Sequence, residues 1–150
     1  NYGTILKLEH PDYAAYIALP TFIHNSYTYR VYPELSSSMT HKQALSACNN
    51  ITYGGYSDWI LPSKETLNTM YIYKEEIGGF YQSYYWSSSF SHENGPYCND
   101  SGEHYIQYYW IQNFSNGQQS SGEAGCIYTN GSSGIQYEEK YRVRCIRKEN

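Results

Sequence analysis

The alternation of apolar and polar positions changes period along the chain, and the changes mark its elements. Tyr13 to Leu19 (YAAYIAL) and Tyr27 to Tyr32 (YTYRVY) are aromatic and β-branched runs closed by Pro20 and Pro33, which predicts two strands. From Thr40 the period becomes helical. Thr40-His-Lys-Gln43 reads as a capping box, with Met39 and Ala44 placed to act as a hydrophobic staple. Ala44, Leu45 and Cys48 then share one face, so Cys48 looks into the core from the last turn before Asn49-Asn50.

The segment GGYSDWILPSKETL follows, from Gly54 to Leu67. Its glycines signal a turn, Asp58 is a turn-former, and Trp59, Ile60 and Leu61 form a run expected to be buried. Pro62 closes the run. Ser63 is placed as an N-cap with Glu65 in the first helical turn, and Leu67, Met70 and Tyr71 supply an apolar face. That helix fades near Lys74-Glu75-Glu76 and stops at Gly78-Gly79. Tyr84-Tyr85-Trp86 opens a strand.

Ser89 to Glu103 reads as loop. His104 to Phe114 alternates with period two, so Ile106, Tyr108, Trp110, Gln112 and Phe114 share one face and Tyr105, Gln107, Tyr109, Ile111 and Asn113 the other. Trp and Phe place the first set inward. The second set is then expected in solvent, where Ile111 looks misplaced unless it meets a partner. Ser115 to Gln136 reads as a second polar loop interrupted by Cys126-Ile-Tyr128. The last run, Tyr141 to Ile146, puts Val143 and Cys145 together on a buried face, and Arg142, Arg144, Arg147 and Lys148 read as a solvated one.

At 150 residues the chain fits one domain over 1–150, large enough for a real core. Twenty tyrosines with only 16% charged residues argue against disorder. Tyrosine suits a binding surface, and equally a strand interior, and the loop tyrosines favour display. A net charge of -4 argues against nucleic acid as partner. No apolar run approaches the roughly 20 residues of a membrane span, so no membrane insertion is expected. No signal-peptide pattern opens the chain, as expected of a mature or excised C-terminal piece.

The four cysteines, Cys48, Cys98, Cys126 and Cys145, allow three pairings. They form no CxxC pair and no histidine clusters with them, which argues against zinc. The order of elements favours Cys48 with Cys145, tying helix to final strand, and Cys98 with Cys126, pinning the two polar regions together. Even number and wide spacing imply an oxidising, extracytoplasmic setting.

Ala44-Leu-Ser-Ala-Cys48, GYSDWILPSKETL, Ile77-Gly-Gly-Phe80, Tyr85-Trp-Ser-Ser-Ser89 and Val143-Arg-Cys145-Ile-Arg147 resemble, in order, the bacterial family named for the C-terminal domain of a collagen-like adhesin. The resemblance covers about 39–148, with the N-terminal strands (1–38) matching loosely. It implies an α+β, C-type lectin-like fold with two helices, a small mostly antiparallel sheet and long polar loops. That family is similar in turn to the variable proteins of diversity-generating retroelements. Their pattern of fixed residues falls here on Trp110, Gln112, Phe114, Gly117 and Gln119. The resemblance implies that the variable positions are Ile111, Asn113, Ser115, Asn116 and Gln118. The pattern is left after Gln119.

Catalytic patterns are missing: the five histidines are scattered, and no HExxH, GxSxG, P-loop or GxGxxG occurs. The paired cysteines of the formylglycine-generating enzymes, which share the lectin-like fold, have no counterpart, and no enzyme is expected. No cofactor is expected either. Glu93, Asn94, Asn99, Asp100 and Glu103 carry the hard oxygens calcium takes, against the simpler reading of a solvated loop. The expected function is an extracytoplasmic, secreted or bacterial cell-surface domain that binds a protein or glycan. Its candidate contacts are Tyr105, Gln107, Tyr109, Ile111, Asn113, Ser115, Asn116 and Gln118. The alternatives are a structural or assembly module, such as the tip of a surface fibre, and a calcium-dependent lectin.

Overall fold

The computed structural model describes residues 10–95, 104–128 and 133–150. The chain is α+β, with four helices and two small antiparallel sheets among those residues. Tyr13–Ile17 is a helix, α1, where β-branched and aromatic content predicts a strand. Two alanines favour the helix locally, and tertiary contacts complete it. Tyr16 is buried against Tyr56 and Trp59. Arg30 Nη1 donates to the carbonyls of Ile17 (2.8 Å) and Leu19 (3.1 Å), supplying donors that the end of α1 lacks.

Strands β1 (Thr21–His24) and β2 (Tyr27–Val31) form a hairpin. Its two-residue loop, Asn25-Ser26, takes φ of 49° and 69°, the left-handed pair that matches strand twist. β2 then pairs with the last strand of the chain, β7 (Ile146–Lys148), in the order β1-β2-β7. Ile60 bridges the far edge of β7 through Ile146, donating and accepting at 2.7 and 2.9 Å. Of the WIL run, Trp59 and Leu61 are buried but Ile60 is 46% exposed, because an extended segment alternates its faces.

Helix α2 (His41–Asn49) starts with the expected capping box on Thr40, and α3 (Lys64–Ile72) is N-capped by Ser63. A further turn, α4 (Lys74–Ile77), ends at Gly78-Gly79, both at positive φ. The second sheet is a meander of four strands: β3 (Tyr84–Asn94), β4 (His104–Asn113), β5 (Gln119–Tyr128) and β6 (Ser133–Glu138). Much of what read as loop is therefore strand. Ser89 to Asn94 continues β3, and the Ser/Gly-rich stretch after Asn113 supplies β5 and β6. Backbone ladders on both sides hold β5, and its Gly122 is required by the neighbouring rings. A Cβ on Gly122 would sit 2.8 Å from the Tyr141 ring and 2.9 Å from that of Trp86.

The core has two main clusters. Phe22, Val31, Leu67, Met70, Ile77, Tyr85, Phe114 and Ile146 fill the space beneath α3. Ala44, Cys48, Leu61, Trp86, Ile111, Val143 and Cys145 fill that beneath α2. Cys48 and Cys145 are disulfide-bonded, as the element order predicts, with Cα atoms 5.5 Å apart. Cys126 is also disulfide-bonded. Its expected partner, Cys98, lies outside the described residues.

The final segment departs from alternation. Val143, Arg144, Cys145, Ile146 and Arg147 are all buried, so two of the arginines predicted to be solvated are internal struts. Arg144 donates to the carbonyls of Tyr32 (2.6 Å) and Gly78 (2.9 Å). Arg147, 1% exposed, makes a two-pronged pair with Asp58 at 2.7 and 3.1 Å and donates to Tyr16 Oη and Glu149. It also lies over the Tyr56 ring at 3.5 Å. Asp58, read as a turn residue, is thus the anchor that joins the GGYSDW turn to the end of the chain.

Candidate functional site

β4 carries most of the candidate contacts, and its two halves differ. Near Asn113 the strand has core on both faces. Ile111 is 3% exposed within the cluster under α2, and Gln112 and Phe114 are buried on the opposite side. The expectation that Ile111 faces solvent is therefore corrected: α2 and Tyr141 cover the face that parity alone assigned to water. Tyr109 on that face is half-buried, and Tyr105 reaches 36% exposure.

Beyond Asn113 the chain turns tightly. Asn113 Oδ1 accepts from the Ser115 backbone (2.9 Å) and hydroxyl (2.6 Å), and Asn116 Oδ1 accepts from the Gln118 amide. These asparagines shape the turn. Gly117 sits at φ 82° with its Cα against Tyr71, where a Cβ would lie 2.4 Å from the ring. Ser115, Asn116 and Gln118 are exposed. From Tyr109 to Ser115 is six residues of extended chain, roughly 20 Å. The candidate residues accordingly form two patches, one at the distal half of β4 and one at the β4–β5 turn.

The distal patch is completed by residues that the reading of β4 did not include. A groove of about 190 Å³ lies between the first turn of α2 and the sheet, lined by His41, Lys42, Leu45, Gln107, Tyr109 and Glu138 among others. His41 is buried, stacks on Tyr109 with ring centroids 3.7 Å apart, and meets Trp86 edge-on. Its Nε2 lies 2.9 Å from the Ser87 carbonyl. A carbonyl can only accept, so Nε2 carries the proton and Nδ1 the lone pair. Burial drives the His41 pKa down to about 4, so the ring is neutral at pH 7. Phe90, 49% exposed, packs edge-on against Tyr109. Burial and then the Glu93 charge raise the Tyr109 phenol above its usual range. The helical phase set by the capping box was signal enough for His41, which falls three residues before Ala44 and seven before Cys48 on the buried face.

The groove carries groups of both kinds, the Lys42 ammonium and the Glu138 carboxylate among them. Gln107 Nε2 donates to Glu93 Oε1 at 3.1 Å, which leaves its carbonyl oxygen as an acceptor. Among the described residues no group of three or more His, Cys, Asp or Glu side chains could hold a metal ion. Of the candidate calcium ligands, Asn99, Asp100 and Glu103 lie outside the described residues. No described helix is long and apolar enough to cross a membrane. Compared with protein-family models and with curated proteins, the chain matches none.

Proposed function

We propose that the chain is an extracytoplasmic ligand-binding domain of C-type lectin-like architecture, which recognises a protein or glycan on another surface. The observation that carries this reading is the distal half of the second sheet. There Phe90, Tyr105, Gln107 and Tyr109 spread aromatic and amide groups beside an open groove, on strands whose other half is locked into the core. Rigid aromatic side chains on a fixed scaffold lose little entropy on binding. The architecture is supported by the pairing of β2 with β7, which sets Tyr29–Val31 beside Ile146–Lys148, and by the disulfide from α2 to the last segment. That disulfide also supports a secreted or cell-surface location.

The test uses the labelled protein on a glycan array and on an array of secreted and surface proteins. Bound spots should be lost in a Phe90→Ala/Tyr105→Ala variant whose thermal midpoint stays within a few degrees of the parent. An absence of bound spots, or spots indifferent to the variant, would refute the reading.

A second reading, an assembly module that packs against a neighbouring unit, is favoured by one feature. Ile23 is 62% exposed beside a groove of about 300 Å³ lined by Thr21, Phe22, Ile23, Tyr73 and Glu76, and Ile72 on α3 is 63% exposed. A concentration-dependent change in sedimentation that Ile23→Ser abolishes would favour it.

A further inference from the structure

We infer that the groove beside β1 receives an extended segment of a partner polypeptide, which joins the first sheet as a further strand and sets an apolar and a basic side chain against the end of α3. This goes beyond the aromatic face of the leading reading and concerns the groove next to Ile23. β1 is an edge strand, since the sheet runs β1-β2-β7. The hairpin register decides which of its backbone groups are free. His24 and Tyr27 flank the two-residue loop and exchange bonds, and alternation makes Phe22 and Tyr29 the next bonded pair. Val31 donates to the Pro20 carbonyl in the same phase. Thr21 and Ile23 therefore turn their N–H and C=O groups to the outer edge, where neither bonds to a described residue. Elsewhere the edges are met by other chain: Ile60 bridges β7, and Arg142 and Pro62 bond to β3. Thr21–His24 has no such cover, and it carries no lysine, proline or bulge of the kind that blunts an edge.

Outward donors and acceptors in strand alternation are matched by another extended main chain. The far wall of the groove selects among such chains. Tyr73, which follows α3, and Glu76 in α4 face Thr21, Phe22 and Ile23 across about 300 Å³. The slot is fixed in advance: Phe22 is buried in the core under α3, and His24 Nδ1 lies 2.7 Å from Thr69 Oγ1 on that helix. A second copy pairing through its own β1 would bring its own α3 to the face where Tyr73 and Glu76 already stand. A strand that carries no helix on that face is what fits. Ile23 and Tyr73, 62% and 45% exposed, offer apolar surface to its side chains. Glu76 is the one charged residue of the lining; it is exposed and makes no ion pair with a described residue. A lysine or arginine opposite it is favoured over an acid. Residues two apart on a strand share a face, so the apolar and basic side chains stand at i and i+2.

The test titrates the 15N-labelled full chain with acetyl-Thr-Val-Thr-Leu-Thr-Lys-Thr-amide, whose Val, Leu and Lys share one face. Its controls are the analogue with glutamate for lysine and two N-methylated forms. One carries methyls on the Val, Leu and Lys nitrogens, the other on the inner Thr nitrogens. The parent peptide should move the Thr21 and Ile23 amide protons downfield, saturably, and slow their exchange. One N-methylated form, and only one, should fail, because alternate nitrogens point to opposite edges of a strand. Ile23→Pro removes the outward donor and leaves the bonds to β2, so it should bind about fivefold more weakly than Ile23→Ala, the worth of one hydrogen bond. If Ile23→Pro loses the parent's circular dichroism, the two N-methylated peptides decide alone. The glutamate analogue should bind at least about threefold more weakly, a difference that Glu76→Gln removes. Unmoved amides, equal binding of the two N-methylated forms, or a glutamate analogue as tight as the parent would each overturn the inference. Self-association that Ile23→Ser abolishes, with those amides unmoved by peptide, would sink strand addition and leave the assembly reading standing.

Discussion

Lowering the pH should destabilise the fold through His41 alone by an amount that the structure fixes. The ring is 2% exposed, stacked on Tyr109 and pressed edge-on against Trp86, and burial holds its pKa near 4. In the unfolded chain the same group titrates near 6.5. At pH 7 both states are neutral and the group is silent. As the pH falls below 6.5 the unfolded chain takes a proton that the folded chain refuses, so the unfolded state gains stability. Below about 4 both states are protonated and the loss levels off. Linkage gives a destabilisation of about 2 kcal/mol at pH 5 and about 3 kcal/mol at pH 4, relative to pH 7. Other groups titrate over the same range. Burial raises the Glu34 pKa, while the Arg30 and Tyr16 bonds outweigh burial to lower that of Glu149. The comparison is therefore made with His41→Gln, whose amide can still donate to the Ser87 carbonyl and does not titrate. Urea unfolding of both proteins at pH 7, 6 and 5 measures the difference. The substitution should cost stability at pH 7 through the lost ring stack, yet lose about 2 kcal/mol less than the parent on going to pH 5. Parallel losses in the two proteins would refute the argument, because they would show that His41 accepts its proton equally in both states.

The other expectations concern what holds the scaffold. Replacing Cys48 and Cys145 together by alanine opens a loop with a sequence separation of 97, worth about 4–5 kcal/mol in the chain-entropy model. The thermal midpoint should fall sharply, whereas reductant should leave the double variant's Cys48–Cys145 region unaffected; a change of a degree or two would argue against the bond as a main support. Arg147→Met removes a buried guanidinium from Asp58, Tyr16 and Glu149 and should cost about 3 kcal/mol in urea unfolding. Arg147→Lys should recover little of this, since a lysine cannot make the two-pronged pair, and full recovery would show that charge alone matters.

Local signals were legible where a few residues carry their own instructions. Thr40 with Gln43, Ser63 after Pro62, and Gly78-Gly79 start and stop their helices where the sequence places them, because caps and positive-φ glycines act over three or four residues. The misses all needed distant partners. YAAYI has strand-like composition, and distant partners such as Trp59, Tyr56, Arg30 and Arg147 hold it as a helix. β5 has hardly a strand-forming residue before Cys126, but neighbours on both sides supply its ladder. Parity correctly divided β4 into two faces. It could not show that α2 lies over the second face, and that helix makes Ile111 core and turns the Tyr109 end into a groove.

The same division explains which part of the β4–β5 hairpin is free to change. Trp110 holds Lys64 Nζ 3.5 Å above its ring, and Gln112 donates to Asn68 and to the Gly117 carbonyl. Phe114 is in the core, Gly117 admits Tyr71, and Gln119 donates to the Lys64 carbonyl. These five residues each tie the hairpin to α3 or to the core beneath it. Between them, Ser115, Asn116 and Gln118 point outward, while Ile111 is locked under α2. Altering the Ser115 and Gln118 side chains would leave every strut in place, altering Asn116 would remove the bond to the Gln118 amide, and altering Ile111 would open the core. Sequence change on this hairpin is thus limited by packing to its turn. The other end of β4 is built differently: there the rings of Tyr109 and Trp86 pack around His41 beside an open groove, so change is limited by those rings and not by a turn.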